Sequence, residues 1–171
     1  MKTMKKFKLS LANDIEKEAN WLTEMSAKGW HFVKYKWGFY YFEENLEISY
    51  IYQVDFQEAT DEYFDLYKQV GWEHMHTEVM QFHYFRADTT IIGNKRIYSD
   101  PASIKGMYKR MFSFYLVIFA CMLVTQIGLL LTWDGNLFSK FVLALVTAVL
   151  LLYVYLFIKL TQQMKKNGKL I

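Results

Sequence analysis

From Met111 to Leu131 the chain runs 21 residues without a charged side chain, and from Phe141 to Ile158 it does so again for 18. Helices over these stretches are about 31 and 27 Å long, close to the ~30 Å hydrocarbon thickness of a bilayer. The chain is therefore expected to end in a two-helix transmembrane hairpin. Buried helices of a soluble protein can be as apolar, but the sequence after Pro101 offers no amphipathic partners to cover two of them.

Basic residues near span ends are retained on the cytoplasmic side. Lys105, Lys109 and Arg110 precede the first stretch, Lys159, Lys165, Lys166 and Lys169 follow the second, and the connection holds one Asp and one Lys. Both termini are thus expected in the cytoplasm, in an integral protein of the cell membrane, with an external turn around Asp134-Gly135-Asn136, residue types that suit tight turns. Trp133 and Phe138 suit the outer interface. The basic start Met1 to Lys8 is followed by polar residues where a secretory signal would carry an apolar core, so no signal peptide is expected. The one cysteine, Cys121, lies inside the first stretch, which excludes an intrachain disulfide and favours a packing role.

Residues 1–100 hold 12 Lys and Arg against 16 Asp and Glu, a net −4, while residues 101–171 hold 8 against 1, a net +7. The alkaline balance belongs to the membrane part, and the preceding domain lacks an overall nucleic-acid footprint. Its local exception is Lys2, Lys5, Lys6 and Lys8, with Lys34 and Lys36 interleaved with Tyr35 and Trp37. Such a mixture can track a phosphate backbone. In a tethered, net acidic domain, proximity to anionic lipid or plain solvation is the preferred reading.

Laid against itself, the first part matches at a nearly constant offset. Trp21-Leu22, Met25, Gly29 and Trp30 correspond to Tyr63-Phe64, Tyr67, Gly71 and Trp72 at a shift of 42, and Phe39 to Phe42 correspond to Phe82 to Phe85 at 43. Each copy reads as a helix, then Gly-Trp, then two strands. The first helix follows Asn13-Asp14 and ends at Lys28-Gly29; the second starts at Thr60-Asp61-Glu62 and ends at Val70-Gly71. Ile15, Ala19, Leu22 and Met25 share a face of one; Tyr63, Phe64, Tyr67 and Val70 share a face of the other. Alternation from Ile48 to Phe56 marks a half-buried strand; Phe39–Glu43, Trp72–Thr77 and Gln81–Asp88 are rich in strand formers, and Lys5–Leu9 supplies an opening strand.

The expected class is an α+β cytoplasmic domain of two βαββ-like repeats, with a mixed or antiparallel sheet and two helices, ferredoxin-like in spirit, followed by the transmembrane hairpin. The divisions are 1–90 for the domain, 91–106 for a linker or helix start, 107–133 and 141–160 for the spans, 134–140 for the external turn and 161–171 for a basic tail. Ser99-Asp100-Pro101 signals a helix start. A helix running on from Pro101 would couple domain and span rigidly; a break at Gly106 would leave a loose tether.

The helix ending in Lys28-Gly29-Trp30, the strand Phe39-Tyr40-Tyr41-Phe42, the strand Ile48 to Phe56 and the second Gly71-Trp72 together resemble the bacterial domain-of-unknown-function family DUF2812. The resemblance covers roughly residues 5–90. It implies a cytoplasmic α+β domain followed by membrane spans, often encoded beside PadR-type regulators, and implies no catalytic residue.

Candidate chemistry is sparse. His74 and His76 alternate on one predicted strand and His83 lies on its expected partner, a set that could ligate zinc or copper if the register allowed it. Exposed strand imidazoles are the preferred reading. His31 has no companion acid or nucleophile fixed by spacing, and Glu43, Glu44 and Glu47 read as solvated turn residues. No phosphate-loop, dinucleotide, zinc-protease, nucleophile-elbow or CxxC string occurs, so neither catalytic residues nor a cofactor are expected. Aromatic residues make up 19% of the chain. They fill a core first, but rings also dominate interfaces, and Tyr35, Trp37 and Tyr41 form a candidate binding face. In the spans, Gln126 and Thr147 with the small pair Ala144 and Ala148 suit helix packing or self-association.

The reading that follows is a membrane-anchored, non-enzymatic regulatory or sensor protein, whose partners are the bilayer and a protein or small ligand. The protein partner would be a PadR-like regulator system or a membrane complex; direct nucleic-acid binding is not expected. An accessory subunit of a larger membrane complex is the alternative, ahead of an inner-leaflet or metal-dependent enzyme using His74, His76 or His83.

Overall fold

The computed structural model describes residues 2–10, 14–79, 81–92 and 101–168. The expected cap at Asn13, the Ser99-Asp100 signal and Lys169 lie outside them. The chain divides into two units, Met1–Ser103 and Ile104–Ile171.

The first unit contains β1 (Thr3–Phe7), α1 (Ile15–Ala27), β2 (Trp30–Lys36), β3 (Phe39–Glu44), β4 (Tyr50–Phe56), α2 (Asp61–Gln69), β5 (Glu73–Glu78), β6 (Phe82–Asp88) and the single turn α3 (Thr89–Ile92). The α+β class holds, and of the two sheet types expected the antiparallel one is found. The strands are divided between two sheets, ordered β1-β3-β2 and β4-β6-β5, with every pair antiparallel. The strand order is the same in both. In each, the strand before the helix and the strand after it run parallel, with the last strand of the unit between them.

Local irregularities also recur at the shift of 42. The β2–β3 register slips between Phe32 and Lys34, and the β5–β6 register slips between His74 and His76. Trp37 and Val79 both have positive φ, at 54° and 49°, and Gly29 and Gly71 turn the chain out of their helices at 81° and 90°. A Cβ on Gly29 would run into the Leu46 side chain and lie 3.2 Å from the Asn45 carbonyl oxygen. That turn needs glycine for space as well as for backbone freedom.

The strands stay in two sheets because α1 occupies the free edge of β4. Thr23 Oγ1 accepts the Tyr52 N–H at 2.9 Å while donating to the Ala19 carbonyl at 2.9 Å. Ser26 Oγ accepts the Tyr50 N–H at 2.8 Å. Side-chain hydroxyls thus satisfy edge donors that would otherwise recruit another strand. Asp14 stands at the N-cap of α1 without capping it; its carboxylate pairs with Lys17 at 2.7 Å.

The core lies where α1 and the inner faces of both sheets converge. Ile15, Ala19, Leu22 and Met25 are buried, as the helical stripe predicts. Fully buried Phe32 is the hub, with Tyr84 at 5.1 Å, Tyr40 at 6.0 Å and Tyr52 at 6.3 Å between ring centroids. Its N–H is bonded to the Tyr52 hydroxyl at 3.0 Å, and burial pushes that phenol up to about 12.

The second unit is an apolar helical hairpin. Its helices are α4 (Pro101–Leu131), whose first residues belong to the preceding unit, and α5 (Leu137–Gly168). α4 is unbroken at Gly106, and α5 starts ahead of position 141. Both are long and apolar enough to cross a membrane, and their apolar windows are not buried within the structure. Phe112 and Phe119 pack on Phe157 at 4.8 and 5.5 Å. In the turn, Asn136 Oδ1 accepts the Ser139 N–H at 2.7 Å, and Asp134 accepts the Ser139 hydroxyl at 2.6 Å. These bonds cap the start of α5.

Candidate functional site

Helix α2 begins at Thr60, whose side chain accepts the Tyr63 N–H; Asp61 and Glu62 occupy its first turn and Lys68 its last, both favourable to the helix dipole. It lays Tyr63, Phe64 and Tyr67 on the sheet face formed by Trp72, Phe85 and Ala87. Tyr67 sits 4.9 Å from Phe85. No residue of α2 is itself buried, and Leu66 and Val70 are 58% and 59% exposed. The expected inner position of Val70 is corrected: Val70 is the C-cap, where the chain leaves the helical stripe toward Gly71.

Beside α2 lies an open recess of about 530 Å³ lined by Phe64, Asp65, Lys68, Gly71, Trp72, Glu73 and His74. Phe64 and Trp72 supply its apolar rings and His74 a polar one, and its rim carries one lysine and two carboxylates. Glu73 is held by Arg86, whose Nε donates at 2.7 Å.

A polar chain runs from the recess into the domain. The Gln57 carbonyl can only accept, so His83 Nε2 donates to it at 2.9 Å. The neutral His83 Nδ1 then accepts from the Thr77 hydroxyl at 2.9 Å, and Thr77 Oγ1 accepts from His74 Nε2 at 2.8 Å. Burial lowers the pKa of His83 below the usual value, and burial with the His83 charge lowers that of His74. Next to them, buried Asp55 accepts the Tyr63 hydroxyl at 2.6 Å, tying β4 to α2.

His74 and His83 therefore meet on the α2 side, their ring centroids 5.9 Å apart. His76 does not join them, contrary to the shared face expected from alternation. The slip between His74 and His76 turns His76 to the opposite face, near Tyr84 at 6.1 Å and Phe32 at 6.3 Å, where it contacts Glu78. Among the described residues no group of three His, Cys, Asp or Glu is placed to hold a metal ion. Thr77 carried no sequence signal for its bridging role.

Tyr35, Trp37 and Tyr41 are not brought to one face. Tyr35 points inward with Tyr40, 4.8 Å between centroids. Tyr41 lies on the outer face near Lys5 and Lys34. Trp37 stands at the β2–β3 turn, 84% exposed. His31 is built in: Nε2 donates to the Asn45 carbonyl at 2.7 Å, and Nδ1 accepts from the Ser26 hydroxyl at 2.9 Å. Glu43 and Glu44 belong to β3, and Glu44 pairs with Lys2 at 3.5 Å.

Glu18, an acid in the first turn of α1, is not among the candidate residues that the sequence singles out. It is buried, and one oxygen accepts the hydroxyls of Tyr40 at 2.6 Å and Tyr84 at 2.7 Å. Burial and then the Glu18 charge push both phenols far up, so their protons stay on the tyrosines. The signal was there: Glu18 falls on the stripe of Ile15, Leu22 and Met25.

In the helical hairpin, Gln126 Nε2 donates to Thr147 Oγ1 at 2.8 Å, and Thr147 donates to the Leu143 carbonyl at 2.8 Å. Ala144, Thr147 and Ala148 line an open groove of about 410 Å³ with Trp133, Lys140 and Leu151. Cys121 is exposed on α4.

No curated protein and no solved structure matches the chain. The family model described as "Protein of unknown function (DUF2812)" matches residues 14–120, starting just ahead of α1 and extending past the α+β unit into α4. That is more than half of the 171 residues, and the chain belongs to this family.

Proposed function

We propose that this protein is a membrane-anchored regulatory or sensor protein, without catalytic activity of its own, whose cytoplasmic domain takes up a partner protein or small ligand at α2. The observation that carries the reading is the state of α2: a helix with no buried residue, with Leu66 exposed on it and Val70 exposed at its C-cap, and a ring-lined recess beside it. Exposed apolar surface of this kind, rimmed by charge, is what interaction sites present. The membrane placement is supported by two long apolar helices and by cations flanking them. The resemblance to family members encoded beside PadR-type regulators makes such a regulator the first partner to try.

A second reading, an accessory subunit of a larger membrane complex, is favoured by the open groove along Ala144 and Ala148. One experiment separates the two. A photo-crosslinking residue is placed at Leu66 or at Ala148 of the full chain, and cells are irradiated. A specific adduct from Leu66 supports the sensor reading, and one from Ala148 alone supports the subunit reading. With adducts at neither position, both fall.

A further inference from the structure

Among the described residues of the first unit, no helix packs on the outer face of the first sheet. The register brings Lys5 and Phe7 of β1, Phe39 and Tyr41 of β3, and Lys34 and Lys36 of β2 to the same side. Lys5 Nζ lies 3.9 Å from the Phe39 ring centroid, and Lys34 Nζ lies 5.4 Å from that of Tyr41. Rings hold these ammonium groups in place without consuming their N–H donors. Glu43 is the acid on this face, at the end of β3 remote from the β2–β3 turn. Among the described residues, none of the three lysines has an ion pair with an acid.

At the turn end of the same face the chain exposes apolar groups. Phe7 is 66% exposed, Leu9 73% and Trp37 84%. They are close neighbours: the Phe7 ring lies against Gly38, and the Lys8 N–H bonds the Gly38 carbonyl at 3.1 Å. Three cations beside exposed Trp, Phe and Leu side chains form a surface with a wet charged part and an apolar tip.

We propose that this face docks on anionic lipid headgroups, with Trp37, Phe7 and Leu9 entering the interfacial region and Lys5, Lys34 and Lys36 meeting lipid phosphates. The charge pattern complements an anionic leaflet, and tryptophan at the tip suits the depth where amphipathic rings settle. The proposal rests on the membrane anchoring proposed above. That anchoring supplies the lipid surface at high local concentration, so each contact can be weak. Removing three cations should lower the docked-to-undocked ratio on the order of 100-fold.

The test uses the full chain in nanodiscs of brominated phosphatidylcholine, with and without phosphatidylglycerol. The emission of Trp37 is taken as the difference between the wild type and Trp37→Tyr, and that of Trp133 as the difference from Trp133→Phe. The expected result is that Trp37 is quenched in anionic discs, that high salt or the combined Lys5→Gln, Lys34→Gln and Lys36→Gln changes abolish this, and that Trp133 stays quenched throughout. Quenched Trp133 with unquenched Trp37 in anionic discs overturns the docking face and leaves the anchor standing. Unquenched Trp133 overturns the anchor itself. A Trp37 response to a single-stranded oligonucleotide, with none to lipid, assigns the face to nucleic acid and overturns the proposal.

Discussion

Tyr84 on β6 donates its hydroxyl proton to Glu18 on α1 at 2.7 Å, across 66 residues of sequence. Tyr40 on β3 donates to the same oxygen at 2.6 Å. One buried carboxylate thus joins the helix of the first sheet to a central strand of each sheet. Replacing Glu18 with Ala leaves two buried hydroxyls without their acceptor and should destabilise the domain by about 3 kcal/mol. Glu18→Gln keeps an acceptor and should cost about 1–2 kcal/mol. Urea unfolding followed by near-ultraviolet circular dichroism measures both, and equal costs would show that the carboxylate is not the link.

The edge of β4 gives a second prediction. Thr23→Val keeps the shape of the side chain but leaves the Tyr52 N–H without its acceptor, and should cost about 1–3 kcal/mol. Ser26→Ala removes the acceptor for Tyr50 and a donor to His31 together. Amide exchange at Tyr52 should accelerate in Thr23→Val; an unchanged rate would mean that the edge is sealed by burial alone.

Stability should fall on both sides of neutral pH. The pKa of His83 is lowered from its ordinary 6.5, so the folded state resists protonation. Its contribution is complete above 6.5 and is lost as pH falls below that value through the folded pKa. Tyr52 is raised from 10.0 to about 12, so its contribution is complete below 10 and is lost as pH rises toward 12. Denaturation across pH reads both limbs. His83→Asn should make the acid limb shallower, His74 keeping a share of it, and Tyr52→Phe the alkaline one, which Tyr40 and Tyr84 share; limbs of unchanged slope would assign the effect to other groups.

In the helical hairpin, the Gln126 and Thr147 side chains should couple by about 0.6 kcal/mol, the average for polar pairs in membranes. A double-mutant cycle with Gln126→Leu and Thr147→Val, followed through detergent-induced unfolding, gives that number directly. Additive effects would show that the 2.8 Å bond does not contribute.

A substitution at the end of α1 tests the turn. Gly29→Ala places a Cβ against Leu46 in a backbone of positive φ, and should cost more than the ~1 kcal/mol expected of strain alone. Gly128→Ala has nothing within 4 Å and should be neutral or mildly stabilising. Thermal unfolding of the two variants ranks them.

Sequence periodicity located α1 and α2, because Ile15, Ala19, Leu22 and Met25 obey the 3.6-residue repeat and glycine closes each helix. What it could not show was the division into two sheets, which depends on two hydroxyls at Thr23 and Ser26 meeting an edge remote in sequence. The candidate sites failed at the same scale. A single slipped residue between His74 and His76 separated imidazoles that alternation had put together, and the slip between Phe32 and Lys34 sent Tyr35 and Tyr41 to opposite sides. Alternation assumes an unbroken pleat, and a bulge violates that assumption without any compositional mark. Glu18 was missed for the opposite reason: its period was legible, but a carboxylate at a helix start has a simpler electrostatic explanation.

Helix α2 contributes no interior residue, whereas α1 is bonded into the second sheet as well as covering the first. The two helices, alike in position, therefore differ in how much of the molecule each would take with it on leaving. Detachment of α2 would uncover Trp72 and Phe85 while the Phe32 hub remained shut, a partial opening far below the cost of global unfolding. The amides of α2 would then be the first helical ones in the domain to exchange with solvent, and the rings beneath them a reserve of apolar surface that an incoming partner could claim.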